Sequence, residues 1–333
     1  MRKLRIFTWH IHGSYMYYLL QSQHEFFLPV KTDGSPGFGG RGDIPHWPDN
    51  VHDVPAEQVK ELDFDLILFQ TRRNYEVDQY EIFTEQQRRL PRIYLEHDTP
   101  RETPTDTKHW VDDPEILLVH CTYFNNLMWD NNRTPTYVIE HGVIVPEDVR
   151  YTGELNKGIV VINDLKRRGR RLGSDIFEQA RLVTPLDLVG IHWEESGGLG
   201  EVPLPALPAF ESHYRFFFNP IRYTSMGLAV CEAMMIGMPI VGLATTEMVT
   251  VIENGLNGYI DTNPGALVDY MRELLDDPGL AHRMGMMARH TALQRFNIQR
   301  FVRDWSEAFE LVTGFSPFNR YYVSSDLVGK KKG

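Results

Sequence analysis

Short apolar runs alternate with helical patterns along nearly the whole chain, and that alternation is the mark of parallel sheets wound with crossover helices. In the first half the runs Leu4–Trp9, Phe26–Val30, Phe64–Phe69, Ile93–Leu95, Ile116–His120 and Tyr137–Ile139 read as strands. In the second half Gly158–Ile162, Leu186–Val189, Phe216–Phe218, Pro239–Val241 and Gly258–Ile260 do so. The pattern breaks around Pro146–Lys157 and starts afresh at Gly158, so the 333 residues divide into wound-sheet domains over 1–150 and 151–310, with a tail over 311–333. A long helical stretch covers Gly265–Thr313. Two irregular segments, Lys31–Val54 and Asp98–Asp113, are long for a compact domain, and such loops are often functional.

Charge and apolar content exclude several classes of function. The net charge of −11 argues against a nucleic-acid or anionic-membrane partner. The charge is uneven: residues 1–150 hold 15 basic and 24 acidic side chains, giving −9, and the remainder 19 and 21, giving −2. An anion is therefore better tolerated in the second half. No tract of about 18 apolar residues occurs, so no spanning helix is expected. The start, MRKLRIFTWHIHG, has too short an apolar run for a signal peptide and reads as a first strand. Cys121 and Cys231 each adjoin an apolar run, as buried, reduced thiols of a cytoplasmic protein would.

In wound sheets, ligands gather at the carboxyl ends of the strands. Those ends supply His10, His12 and Gly13, then Gln70, then Glu96, His97 and Asp98, then His141 in the first half. The second half supplies Asn163–Asp164 and the basic run KRRGRR at Lys166–Arg171. A basic loop between strand and helix can neutralise a diphosphate, and Arg168 and Arg171 are its candidates, against the commoner reading of a solvated charge run. The stretch Pro220–Gly242, PIRYTSMGLAVCEAMMIGMPIVG, reads as an approach loop, a helix capped near Ser225 and a buried strand. Leu228, Cys231, Met234 and Met235 fall at helical spacing on one apolar face. Glu232 is the misfit, since carboxylates are seldom buried without a partner. A helix start with a carboxylate one turn in can hold an anionic ligand that bears hydroxyls, while a crossover helix with Glu232 in a salt bridge fits the pattern equally. His97 fits a base, a hydroxyl partner or a metal ligand. His10, His12 and His97 could instead form the metal site of a hydrolase. No nucleophile elbow, P-loop or dinucleotide fingerprint is present.

SMGLAVCEAMMIGMPIVG, followed by VIENGLNGYID at Val251–Asp261, is similar to the donor-site block of the retaining GT-B glycosyltransferases. That group includes bacterial mannosyl- and glucosyltransferases and sucrose-phosphate synthases. Weaker echoes are the Gly13 loop, His97–Asp98, His141–Val143 and the basic loop after Asn163. The resemblance implies two Rossmann-like, doubly wound domains facing a central cleft. It implies transfer of a sugar from a nucleotide sugar such as a UDP-, GDP- or ADP-sugar, with retention and with no metal or other cofactor. On this carry-over Glu232 would bind the ribose, and the amides of Ser225, Met226, Gly227 and Leu228 the sugar. Gly13 would admit the diphosphate, Arg168 and Arg171 would supply its counter-charge, and His97 would act at the reacting centre. Thr224 departs from the pattern: the family usually has a carboxylate there, with seven residues between it and Glu232. A neutral hydroxyl would then meet the donor sugar. The first domain would hold a small-molecule or saccharide acceptor through Lys31–Val54 and Asp98–Asp113, with a soluble acceptor favoured by the acidity. The tail from about Phe301 would pack back across that domain. A nucleotide-sugar-binding protein without transfer activity is the remaining alternative.

Overall fold

The apolar runs become the strands of two separate sheets, all of whose strand pairs are parallel. The computed structural model describes residues 2–42 and 47–314. Residues 43–46, within the irregular stretch Lys31–Val54, and 315–333, most of the expected tail, lie outside the described residues. The chain forms two units, Met1–Glu140 joined by the segment from Gln299, and His141–Ile298. The division thus falls at Glu140 and not near residue 150, because the last strand of the first sheet already ends at Val138.

In the first unit β1 (Arg5–Thr8), α1 (Gly13–Leu19), β2 (Glu25–Val30), β3 (Val51–Pro55), β4 (Leu66–Phe69), α2 (Gln79–Ile82), β5 (Arg92–Glu96), β6 (Ile116–His120), α3 (Tyr123–Met128) and β7 (Thr136–Val138) follow one another. The seven strands lie in the order β3-β2-β1-β4-β5-β6-β7. β3 was expected as loop. Its sequence, VHDVP, buries only Val51 and Val54, and it pairs on one side alone, as the sheet's edge. The central strands β4 and β6 are buried at every residue, which explains their unbroken apolar runs. One face holds an aromatic core in which Phe7 meets Trp9, Phe64 and Phe83 edge-on, at ring separations of 5.1, 5.2 and 4.8 Å.

The second unit runs β8 (Leu155–Val161), α4 (Leu165–Arg168), α5 (Ser174–Ala180), β9 (Leu186–Val189), α6 (Leu207–Glu211), β10 (Tyr214–Asn219), α7 (Leu228–Ile236), β11 (Ile240–Leu243), α8 (Met248–Val251), β12 (Gly258–Asp261), α9 (Pro264–Asp276) and α10 (Pro278–Arg295). Its sheet order is β12-β11-β10-β8-β9. Phe216 and Phe218 on β10, Val241 on β11 and Leu267, Met271 and Leu274 on α9 share its core. α11 (Ile298–Thr313) follows, and from Gln299 it belongs to the first unit. Phe301, Trp305, Ala308 and Phe309 form its buried stripe. The Trp305 Nε1–H donates to the Tyr15 hydroxyl at 3.1 Å, and Phe309 lies edge-on to His24 and Phe26.

Candidate functional site

In the second sheet the chain order reverses between β8 and β10, and a wound sheet opens its ligand crevice at such a point. The loop after β8 carries Asn163–Gly173, and the loop after β10 carries Pro220–Gly227. The two are tied together. Gly173 has φ 79°, and a Cβ there would overlap the Pro220 carbonyl oxygen. The amides of Arg222 and Tyr223 donate to the Arg171 carbonyl at 3.0 and 3.2 Å. The Arg222 guanidinium donates to the Arg170 carbonyl and, with two nitrogens, to both Asp175 oxygens at 2.6 and 2.8 Å. Those bonds from Arg222, with further attraction from Arg170, hold the Asp175 carboxyl below the usual carboxylate range. The remaining clamps come from His141, whose Nε2–H donates to the Met226 carbonyl at 2.9 Å, and from Thr245, whose hydroxyl donates to the Ile221 carbonyl at 3.1 Å. Arg222, Asp175 and His141 thus fix the approach loop, and sequence spacing pointed to none of them for that work.

Arg222→Ala should cost about 1–3 kcal/mol, as expected for a half-buried charged pair that also bonds a carbonyl. For a unit of this size that is a fall in Tm of about 2–10 °C. A variant that melts with the wild type would show that the pair does not hold the loop.

The helix beyond this loop starts two residues later than a cap at Ser225 would place it. Gly227 in extended conformation is the N-cap of α7, and no side chain caps it, so Ser225 is not the cap. Ser225 and Met226 are buried in the loop, Thr224 is half-buried, and Leu228 opens the first turn. Amides at that position have no acceptor within the helix. The expected apolar face is in fact a nearly complete envelope, because Val230 through Ile236 are all buried. Glu232 is therefore surrounded and only 4% exposed. Gly237, at φ 103°, then ends the helix.

Three of the five basic side chains in Lys166–Arg171 face carboxylates: Lys166 meets Glu178, Arg167 meets Glu195 and Arg170 meets Asp175. Arg168 is exposed and Arg171 half-buried, on either side of Gly169. The loop and the start of α7 thus share one strand-end edge of the second unit.

In the first unit the order reverses between β1 and β4, and the residues beyond those strand ends converge. Gln70 donates its amide to the Thr8 hydroxyl and the Trp9 carbonyl at 2.9 and 2.7 Å, which turns its Oε1 toward His97 Nε2 at 3.1 Å. That oxygen can only accept, so His97 carries its proton on Nε2. Its Nδ1 faces the Cys121 thiol at 3.9 Å. The rings of His12 and Tyr15 lie 4.2 and 4.8 Å from the His97 ring. Burial holds the Tyr15 phenol and the Cys121 thiol well above their usual ranges, so both stay protonated. Gly13 is the first residue of α1, directly after His12.

The three-histidine metal site is not assembled. His10 Nδ1 turns to the Gly40 carbonyl at 2.8 Å and its ring to Trp47, because β1 ends at Thr8 and strand alternation does not extend to His12. Asp98 pairs with Arg101, and no group of three His, Cys, Asp or Glu among the described residues could hold a metal ion. Beside His97, Glu96 is buried, accepts from the Asp98 amide at 2.8 Å and faces His109 Nε2 at 3.1 Å. His109 Nδ1 accepts from the Val111 amide, so its proton is on Nε2 and is donated to Glu96. Burial pushes Glu96 up to about 8 and His109 down to about 3. Glu96 thereby fixes the backbone that follows His97.

Residues 197–291 match the family model described as glycosyl transferases group 1. No curated protein matches the chain. Among solved structures, a sucrose-phosphate synthase from Thermosynechococcus elongatus is similar at a TM-score of 0.68 and 13% identity, over 95% of this chain and 100% of that one. A glycosyltransferase from Rickettsia africae ESF-5 aligns at 0.67 and 13% identity, over 95% and 100%. Anabaena Alr3699/HepE, solved in complex with UDP-glucose, aligns at 0.64 and 15% identity, over 92% and 100%. The chain thus has the two-sheet GT-B fold of these solved structures, and its residues 197–291 are similar to the group 1 glycosyl transferases.

Proposed function

We propose that the protein is an enzyme that transfers a sugar from a nucleotide-sugar donor to an acceptor hydroxyl, with retention of configuration and without a metal ion. The observation that carries this reading is the position of Glu232. It is a buried carboxylate one turn into α7, inside the group 1 segment, on the same strand-end edge as the basic loop. The solved HepE complexes with UDP, and with UDP and glucose, support a nucleotide-sugar ligand.

In this reading Glu232 accepts hydrogen bonds from the ribose hydroxyls. The amides of Ser225–Leu228 and the hydroxyl of Thr224 meet the donor sugar, and Arg168 and Arg171 balance the diphosphate in place of a divalent cation. Gly13 and His97 act from the first unit, which takes the acceptor. The bond from the sugar's anomeric carbon to the phosphate oxygen breaks, a bond to the acceptor oxygen forms on the same face, and the acceptor's proton leaves with the diphosphate. Retention rests on the likeness of Ser225–Gly242 to the retaining group. Catalysis is electrostatic: fixed dipoles and cations stabilise the departing diphosphate. No described helix is long and apolar enough to cross a membrane. With the acidic net charge this favours a soluble acceptor, and we place the work in the cytoplasm.

A thermal-shift panel of UDP-glucose, GDP-mannose and ADP-glucose tests the donor. A ligand at 100 times its Kd stabilises by about 2.7 kcal/mol, or about 5–10 °C here. Transfer from the donor so found should be unchanged by a chelator. Loss restored by manganese would overturn the metal-free mechanism, and binding with neither transfer nor hydrolysis would make the protein a binding module.

A further inference from the structure

The first sheet carries a cavity at the edge that the proposed reaction leaves unused. Lys3 precedes β1, Ser22 precedes β2, and Asp49 and Asn50 precede β3, and these three strands are parallel neighbours. With Leu20 and Pro48 they help to line a cavity of about 390 Å³, within the roughly 300–1,000 Å³ of small-molecule sites. It lies at the amino ends of the strands, whereas Gly13, Gln70 and His97 follow the carboxyl ends. The turn after α1 sets its hydrogen-bonding groups. Asn50 Nδ2 donates to the carbonyls of Leu20, Ser22 and His24 at 3.2, 2.8 and 2.6 Å. Carbonyls only accept, so the amide has one orientation and Oδ1 is the end left over. That oxygen is buried with no hydrogen-bond partner among the described residues. The same holds for the hydroxyl of Ser22, a residue that is 3% exposed. Buried polar atoms are nearly always paired, and two orphans on one cavity call for a ligand that pairs them.

We propose that this cavity binds a neutral saccharide unit, apart from the place of transfer, with sugar hydroxyls donating to Asn50 Oδ1 and bonding the Ser22 hydroxyl. Charge and shape select that class. The one cation of the lining, Lys3, is paired with Glu25 at 3.3 Å, and Asp49 is exposed at the rim. A phosphate or carboxylate would meet an acid and no unpaired base. An acceptor oxygen and a hydroxyl instead suit groups that both donate and accept, which is what a sugar ring presents along its edge. Its C–H face needs an apolar surface, and Leu20 and Pro48 supply one. Pro48–Asn50 belongs to Lys31–Val54, the irregular stretch whose length marks it as functional. The site stands whether or not the donor reading does.

The test titrates the isotope-labelled full chain with glucose, galactose, mannose and N-acetylglucosamine, and with potassium phosphate as the anionic control. One of the sugars should move the backbone amide resonances of Ser22, Gln23 and Asn50 with a Kd of about 1–10 mM, the affinity of a few neutral hydrogen bonds. Ser22→Ala removes one orphan and leaves the Asn50 bonds in place, so the fold stays and the Kd should rise about 3–10-fold. No shift with any of the four sugars at about 100 mM, well above the weakest expected Kd, overturns the proposal. Shifts confined to Gln70 and His97 also overturn it, because they put the sugar at the other edge. Phosphate alone moving Ser22 and Asn50 overturns the neutral class, and a Ser22→Ala variant that binds as wild type removes the contact. No arm contains a nucleotide sugar, so failure here leaves the donor reading untouched.

Discussion

Glu232→Gln is expected to raise the Kd for the nucleotide-sugar donor by about 10²-fold or more. A carboxylate that accepts from two vicinal hydroxyls gives about 1.5–3 kcal/mol per charged hydrogen bond, and an amide oxygen offers a weaker acceptor and, on its other side, a donor with nothing to accept it. The fold should survive the change. Glu232 is enclosed with its apolar neighbours on α7, and an isostere of the same size leaves no cavity. Calorimetric titration of the donor, with a melting curve on the same sample, checks both parts. A folded variant with unchanged affinity would remove the centre of the donor reading.

Gly173→Ala should produce the other large loss, this time in stability. The position needs φ 79°, which an L side chain adopts at a cost of about 1–2 kcal/mol, and the added Cβ would meet the Pro220 carbonyl, a backbone atom that cannot swing aside. The sum is about 3–5 kcal/mol, or a fall in Tm of at least about 6 °C. Gly197 is the internal control. It also lies in the left-handed region, with φ 61° and ψ 44°, but an added Cβ would meet only the tip of the Arg181 side chain at 3.5 Å, so Gly197→Ala should show the conformational cost alone. Equal melting of the two variants would mean that the contact with Pro220 does not hold the loops together.

The strands were legible where burial on both faces leaves an unbroken apolar run, as in Leu66–Phe69 and Ile116–Val119. VHDVP was not, because an edge strand with exposed His52 and Asp53 carries the composition of a loop. Glu232 was legible as a polar residue in an apolar helix, although that helix proved to be enclosed on nearly every side. Reading His10 and His12 as one face assumed a strand that continues four residues past Thr8. The partners of the site were out of reach for a different reason. Arg222 and Asp175 are 47 residues apart, and His141 reaches the Met226 carbonyl across 85. Each is an ordinary polar residue until the sheet order brings two loops to one edge.

The seating of α11 on the first unit bears on how the chain can be synthesised and divided. The second unit is one continuous stretch, His141–Ile298, while the first is drawn from both sides of it. Trp305 and Phe309, which meet Tyr15, His24 and Phe26, leave the ribosome after every residue of the second unit. During synthesis the unit that begins the chain therefore waits, with an apolar face uncovered, for the one that interrupts it. A gene cut after Ile298 yields the second unit whole and strips the first of its last helix, so the two halves are not interchangeable as expression fragments.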